Sequence, residues 1–390
     1  MKMLTTTEEL SAFCAAARAH PYVTVDTEFL RERTYYSKLC LVQMAVPGTG
    51  RDSAVLIDPL ARNMTLDPLY ALFRDKSVVK VFHAARQDLE IFFLEGNVFP
   101  EPLFDTQIAA MVCGFGEQAG YETLVRKIAR QSLDKTSRFT DWSRRPLSEA
   151  QKKYALADVT HLRVIYEHLA AEIGKSGRGS WVEEELKTLT TPETYVIRPE
   201  DAWLRIKTRT TSGAFLSIVR ELARFRETEA RSRNIPRGRI MKDEAILELA
   251  STKPQTPQEL GRARLLPRDA RRGDVAAGIL SAVATGLAAD PVKVPENGID
   301  KSKANPALVD LLRVLLKARA DEEGVAQKLI MPAADLDAIA SGARDVPSLR
   351  GWRRTVFGDD ALRLCNGEIA LSARGGRVEV VPLCPPRAMV

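Results

Sequence analysis

Val23-Thr24-Val25-Asp26-Thr27-Glu28-Phe29 is an apolar, β-branched run interrupted by two carboxylates. Its composition predicts a buried strand over 22–28. Strand side chains alternate between faces, so Asp26 and Glu28 point the same way. Two negative charges at the end of an apolar strand are costly unless a cation sits between them. Oxygen-only ligands favour a hard divalent ion, Mg²⁺ or Mn²⁺.

Around this strand the first 170 residues alternate strand and helix signals. Further strands are expected at 39–46, 54–58 and 78–82, with helices at 66–75, 85–95, 121–130 and 148–173. Thr6 and Glu9 form a capping box ahead of Leu10–Ala17. Gly96-Asn97 closes the helix before it, and Leu103–Asp105 reads as a short strand end leading into a helix. This order predicts an α/β domain over 1–190, a mixed sheet flanked by helices. Gly174–Ser180 reads as a flexible break, followed by a short helix at Trp181–Leu189. Two small all-α helical domains are expected to follow, at 201–288 and 305–390, separated by a Pro-bearing linker over 290–305. The second ends in a hairpin over 368–381, turning at Gly375-Gly376.

A chain of 390 residues is too long for one typical core, which agrees with this division. No stretch approaches the roughly 18 uninterrupted apolar residues of a membrane span. The start of the chain lacks an apolar signal core, so export is not expected. The five cysteines are scattered without a CxxC pair, which argues against a zinc site or a disulfide framework and suits a reducing cytoplasm. The net charge of +6 is uneven: residues 201–273 hold 17 Lys and Arg against 9 Asp and Glu. A basic middle segment beside a slightly acidic remainder suggests a module for a polyanion, although a solvated helical surface reads equally well.

Two further sites complete the opening pair. Asp88 falls in the first turns of the helix that follows the strand 78–82. Tyr154 and Asp158 are four residues apart on a helix and share one of its faces. Asp26, Glu28, Asp88 and Asp158 thus converge with the charge that two divalent ions need, leaving phosphate and water as the remaining ligands. Such a pair stabilises the attacking and leaving oxygens of a phosphodiester. Tyr154 is placed to orient the attacking water or to help remove its proton.

At these residues the chain resembles the DEDD exonucleases, in the branch with tyrosine in the third motif. Val25-Asp26-Thr27-Glu28-Phe29 is similar to the first motif, His83-Ala84-Ala85-Arg86-Gln87-Asp88 to the second and Tyr154-Ala155-Leu156-Ala157-Asp158 to the third. Leu103-Phe104-Asp105-Thr106-Gln107 resembles a segment between the second and third. The resemblance implies a ribonuclease H-like catalytic fold and 3′→5′ hydrolysis of RNA to nucleoside 5′-monophosphates. It implies that Asp26, Glu28, Asp88 and Asp158 are the metal ligands and that Tyr154 positions the nucleophilic water. Trp203–Lys207, Arg220–Ala223, Asn234–Arg237 and Lys242–Ala245 resemble an HRDC domain, a helical nucleic-acid-binding module. Residues 305–365 are similar to a second, degenerate copy.

Other residues admit two readings. Phe29 wedges against the terminal base, as apolar residues near the first motif do in the family, or packs in the core. His83 bonds a phosphate or sits buried at a strand end. Gln43 and Tyr36, near the first hairpin, touch the sugar. Asp105 is a helix N-cap or a fifth acidic group near the site. Arg231, Arg233, Arg237 and Lys242 contact phosphates or form a solvated surface. The expected activity is a cytoplasmic two-metal 3′→5′ exoribonuclease acting on structured RNA such as tRNA precursors, with no membrane or obligate protein partner. The alternatives are a 3′→5′ DNA exonuclease on the same fold and a non-catalytic RNA-binding adaptor.

Overall fold

The computed structural model describes residues 2–50, 52–134, 136–210, 212–293 and 305–383. The first part of the chain runs β1 (Lys2–Leu4), α1 (Thr7–Ala17), β2 (Tyr22–Leu30), β3 (Lys38–Ala45), β4 (Ala54–Ile57), α2 (Asp67–Phe73), β5 (Val79–Phe82), α3 (Arg86–Gly96), β6 (Leu103–Asp105), α4 (Thr106–Val112), α5 (Tyr121–Leu124), α6 (Glu149–Ser176) and α7 (Gly179–Leu189). The six strands form one sheet in the order β1-β4-β3-β2-β5-β6. β3 runs antiparallel to β2 and β4, while β5 and β6 run parallel to β2. The sheet is mixed, as the sequence predicts. Only β1, three residues paired parallel to β4, had no sequence signal, being too short to show a period.

The alternation along β2 sorts the layers. Val23 and Val25 face one side and pack with Val42, Met44, Val55 and Ile57 under α1, α2 and α3. Thr24, Asp26 and Glu28 face the other side, where the Thr24 hydroxyl donates to the Val159 carbonyl of α6 at 2.8 Å. Both helices flanking this start are properly begun. Thr6 and Glu9 form the expected capping box of α1, and Ser148 and Gln151 form another at the head of α6.

The expected flexible break at 174–180 is instead helical. α6 continues through Gly174 to Ser176, Gly177 caps it in the left-handed conformation at φ 69°, and α7 starts two residues later. A helical glycine costs only about 1 kcal/mol against alanine, and the buried Ile173 beside it belongs to an extended apolar core. Of the linker expected over 290–305, residues 294–304 lie outside the described residues.

The basic segment folds as α8 (Gly213–Ser232), α9 (Arg237–Ile240), α10 (Asp243–Thr252), α11 (Pro257–Leu260) and α12 (Gly273–Ala288) around its own core of Ile218, Leu222, Ile246, Leu249 and Ile279. α8 and α12 approach so closely that a Cβ built on Gly286 would lie 2.6 Å from the Ile218 Cα. The last segment comprises α13 (Pro306–Glu323), α14 (Gln327–Ile330), α15 (Ala333–Ala340), α16 (Gly351–Arg353), α17 (Asp359–Cys365) and the expected hairpin, β7 (Ile369–Arg374) with β8 (Arg377–Pro382). It does not keep a core to itself. Leu312, Leu315, Ile330 and Phe357 are continuous with Ala109, Val112, Ile165, Leu169 and Val182 of the first part of the chain. Trp181 and Trp352 stack across this seam with ring centroids 4.3 Å apart, and Arg353 reaches Glu184 at 2.9 Å. Among the described residues, no helix is long and apolar enough to cross a membrane.

Candidate active site

Three elements meet at the C-terminal end of β2. The strand itself presents Asp26 and Glu28 on the α6 face, α6 presents Tyr154 and Asp158, and the N-terminal turn of α3 presents Asp88. One carboxylate oxygen from each of Asp26, Glu28 and Asp158 lies within 4.8 Å of the others. Asp88 joins from the opposite side of the strand, where the Thr27 hydroxyl donates to its Oδ1. Asp26, Tyr154, Asp158, His83, Tyr121 and Arg138 line a common cavity of about 320 Å³.

The carboxylates crowd one another in a poorly solvated place. Burial, then Asp26, Asp158 and Asp88, push Glu28 up to about 10. Burial raises Asp26 to about 7. Burial and the Asp26 charge raise Asp158 to about 8, against the pull of a Tyr154 hydrogen bond and Arg138. Burial and Asp26 also raise Asp88 well above its ordinary value, while the Thr27 hydrogen bond lowers it. An acidic cluster that holds protons so tightly lacks compensating positive charge. Its all-oxygen donor set fits a hard divalent cation, and such a cation is the charge the cluster lacks.

Local backbone explains how Asp88 arrives there. Ala84 adopts φ 56°, a strained left-handed conformation for a residue with a Cβ. Asp105 holds that turn: its carboxylate accepts from the Ala84 and Ala85 amides at 3.1 and 2.8 Å while also capping α4 through Gln107 at 2.7 Å. Asp105 is thus the helix N-cap of the two readings, and it also fixes the approach to α3.

The sequence-derived candidates divide. Asp26, Glu28, Tyr154 and Asp158 come together, with Asp88 adjoining them. His83 lines the cavity but bonds Thr106 Oγ1 through Nδ1 at 3.0 Å, and burial lowers its pKa, which keeps the ring neutral. Phe29 packs with the core on the far face of β2, beyond a register shift after Glu28. Gln43, expected at a sugar, is fully buried at 0 % exposure opposite Asp26 on β3, so it cannot touch one. Neither atom of its amide finds a hydrogen-bond partner among the described residues.

The arginines expected on phosphates are largely committed to the protein. Arg237 donates to the 1 % exposed Glu227 at 2.5 Å and to the Tyr35 hydroxyl at 3.1 Å. Arg231 donates to the same hydroxyl and to the Ile197 carbonyl, and Tyr35 itself donates to Glu227. Arg233 pairs with Glu229 at 2.8 Å. Lys242 is exposed beside a separate cavity. Tyr36, expected at the sugar, lies at the same junction, its amide bound to Asn234.

Three participants carried no sequence signal. Thr27 shows in the sequence only as the residue between the two acids. Tyr121 caps nothing in the pattern, yet its hydroxyl donates to the Ala157 carbonyl at 3.2 Å and to that of Asp158, pinning α6 at its acidic residue. Arg138 sits in an aperiodic loop. That loop is clamped to the sheet by Arg145, which donates to Asp58 at 2.6 and 2.7 Å and to the Cys40 carbonyl at 2.6 Å.

Comparison with known proteins places the chain in a family of exonucleases. A family model described as 3′-5′ exonuclease matches residues 1–174, and one described as HRDC domain matches 215–283. The chain is 62% identical over 380 residues to ribonuclease D of Jannaschia sp. (strain CCS1), covering 97% of this chain and 98% of that one. It is 48% identical to ribonuclease D of Nitrobacter hamburgensis, again over 97% and 98% of the two chains. Among solved structures it is similar to RNase D of Escherichia coli, described as an exoribonuclease involved in structured RNA processing, at 28% identity with a TM-score of 0.79 over 94% of this chain and 98% of that one.

Proposed function

The chain belongs to the ribonuclease D family and is a 3′→5′ exoribonuclease, and on that premise we propose that Asp26, Glu28, Asp88 and Asp158 hold two divalent cations, Mg²⁺ or Mn²⁺, while it trims structured RNA, tRNA precursors included, to nucleoside 5′-monophosphates. The observation that carries this reading is the trio of carboxylates whose ligand oxygens lie within 4.8 Å of one another. Bound there, divalent cations supply Lewis-acid stabilisation of charge on the phosphodiester oxygens.

The chain's own groups do the rest. Burial, Asp158 and Glu28 raise the Tyr154 phenol above its ordinary value, so it stays protonated at neutral pH. A protonated phenol beside Asp158 orients the attacking water by hydrogen bonding rather than by taking its proton. Arg138 brings the positive charge at the cavity rim. It makes no hydrogen bond or ion pair among the described residues, and its guanidinium rests over the Phe139 ring at 5.1 Å. A guanidinium so free is suited to the phosphate of the scissile bond. Neutral His83 contributes a wall rather than a charge. A cytoplasmic setting fits Cys14, Cys40, Cys113 and Cys365, which are free thiols.

Incubation of a 3′-labelled precursor tRNA with the protein tests the reading. Stepwise release of 5′-mononucleotides that a chelator abolishes is the expected result. Release that persists in excess chelator would remove the cations from the account, and release from a mature tRNA but not its precursor would remove that substrate.

A further inference from the structure

A second cavity, of about 480 Å³, opens where the catalytic domain, the segment Thr194–Ile197 that follows α7, and the HRDC helices meet. This volume lies within the range of about 300–1,000 Å³ typical of ligand sites. Five arginines border it: Arg31, Arg86, Arg205, Arg231 and Arg237. Among its described lining residues the only carboxylate is Glu90, and Arg31 pairs with it at 3.3 Å. Glu227, Tyr35 and a carbonyl occupy Arg231 and Arg237, as described above. Arg86 and Arg205 remain. Both are exposed, and neither makes a hydrogen bond or an ion pair among the described residues. They come from different domains and border one hollow.

Its position relative to the acidic cluster is informative. Arg31 follows Glu28 by three residues on the continuation of β2. Arg86 and Gln87 precede Asp88 in the first turn of α3. The cavity therefore begins just beyond two of the three elements that deliver the carboxylates, and no residue of α6 lines it. Tyr36 adds a partly exposed ring, 39 % accessible, set edge-on to Tyr35 at 4.7 Å. Free guanidiniums beside an accessible aromatic face are the means by which proteins hold single-stranded nucleic acid, through phosphate charge and base stacking.

We infer that this interdomain groove binds the phosphodiester backbone of the single-stranded RNA just upstream of the 3′ end being trimmed, with Arg86 and Arg205 as its phosphate contacts. The inference rests on the exoribonuclease reading and adds to it a second RNA subsite, shared between domains. Such a subsite makes catalytic efficiency depend on RNA length: a dinucleotide reaches only the acidic cavity, whereas a longer strand also fills the groove. It also assigns the Tyr35–Glu227–Arg237 network the task of holding the two walls in register.

The test compares the wild type with the Arg86→Gln/Arg205→Gln variant on a dinucleotide and on a twelve-nucleotide unstructured RNA, over a series of KCl concentrations. The wild type is expected to prefer the longer RNA in kcat/KM, and the variant to lose about tenfold of that preference. Each phosphate contact on a single strand contributes about 0.7 to the log–log salt slope, so the slope for the longer RNA should fall by about 1.4. An unchanged preference and slope would overturn the inference. So would an equal loss on both RNAs, which would put the arginines at the scissile end, or a retained preference with loss of binding to an acidic peptide. Failure of the exoribonuclease reading would look different, since the wild type would then release no mononucleotide from either RNA. Both side chains are exposed, so the fold should survive; Arg205→Gln alone gives the same comparison with half the change in slope.

Discussion

The Thr27 hydroxyl donates to Asp88 from the face of β2 opposite Asp26 and Glu28. One strand thus presents two acids directly and orients a third through the residue between them. Asp88→Asn should therefore slow trimming of a 3′-labelled RNA by about three decades, which is about 4 kcal/mol of barrier. Thr27→Val should act in the same direction with a smaller loss. Single-turnover rates check both, and near-normal turnover by Asp88→Asn would exclude that carboxylate from the metal set.

Tyr154→Phe removes one oxygen and leaves the ring against Trp142, 6.0 Å away between centroids. Turnover should fall by about 10–10²-fold, the loss of one water-orienting hydrogen bond of about 1.5–3 kcal/mol, with little change in melting temperature. Because the phenol is held protonated, the wild-type rate profile between pH 6 and 9 should contain no limb that Tyr154→Phe abolishes. Appearance of such a limb would restore the tyrosine as a base.

Stability of the cation-free protein should fall as pH rises. Asp26, Asp158 and Glu28 are raised to about 7, 8 and 10, from ordinary values of 3.8, 3.8 and 4.5. Between the ordinary and raised values the folded chain keeps protons that the unfolded chain releases, so the stabilisation present at acid pH is lost through this window. Cation binding needs the deprotonated ligands. Added Mn²⁺ should therefore raise the melting temperature more at pH 8.5 than at pH 6, with protons released. Scanning fluorimetry with chelator or Mn²⁺ at several pH values checks this, and a flat profile in chelator would contradict it.

Glu227 anchors the HRDC helices to the catalytic domain. Burial alone would raise its pKa, but hydrogen bonds from Arg237 and Tyr35 hold it below the usual carboxylate range. Its contribution is present above the ordinary value and is lost as pH falls through the lowered one. Glu227→Ala leaves two guanidiniums without their partner, a change that costs about 3–5 kcal/mol at buried pairs. Denaturant titration of the HRDC transition measures it.

Gly286→Ala would bring a methyl group to 2.6 Å from the Ile218 Cα, a backbone atom that cannot swing aside. α12 would have to move from α8, at about 1–3 kcal/mol for overpacking. A fall in HRDC melting with catalysis on a dinucleotide retained is the expected outcome.

Much of this was legible from the residues. The period-two run at 22–28 placed Asp26 and Glu28 correctly, and the four-residue spacing of Tyr154 and Asp158 placed both on one side of α6. Both are local periodicities, which sequence records directly. Arg138, Tyr121 and the fate of Gln43 were not legible, because each depends on which distant segment covers a strand or rim. The arginines near 231–237 looked like a phosphate-binding patch. Glu227 and Glu229 lie close by in sequence, but Tyr35 and Ile197, which complete the network around Arg231 and Arg237, lie far off, so charge counting alone could not see that these arginines were taken. Gly174 and Gly177 looked alike as loop formers, yet only the second ends a helix, since packing at Ile173 overrides propensity at the first.

The shared core between the start and the end of the chain has a consequence for synthesis. The apolar flank formed by Val112, Ile165, Leu169 and Val182 is translated long before Leu312, Leu315 and Phe357, which cover it. Nascent domains ordinarily condense in order as they leave the ribosome. Here the nuclease half emerges with an uncovered side and must wait through the whole HRDC segment for its lid. A polypeptide cut short after the HRDC helices would keep every catalytic side chain and still be left adhesive.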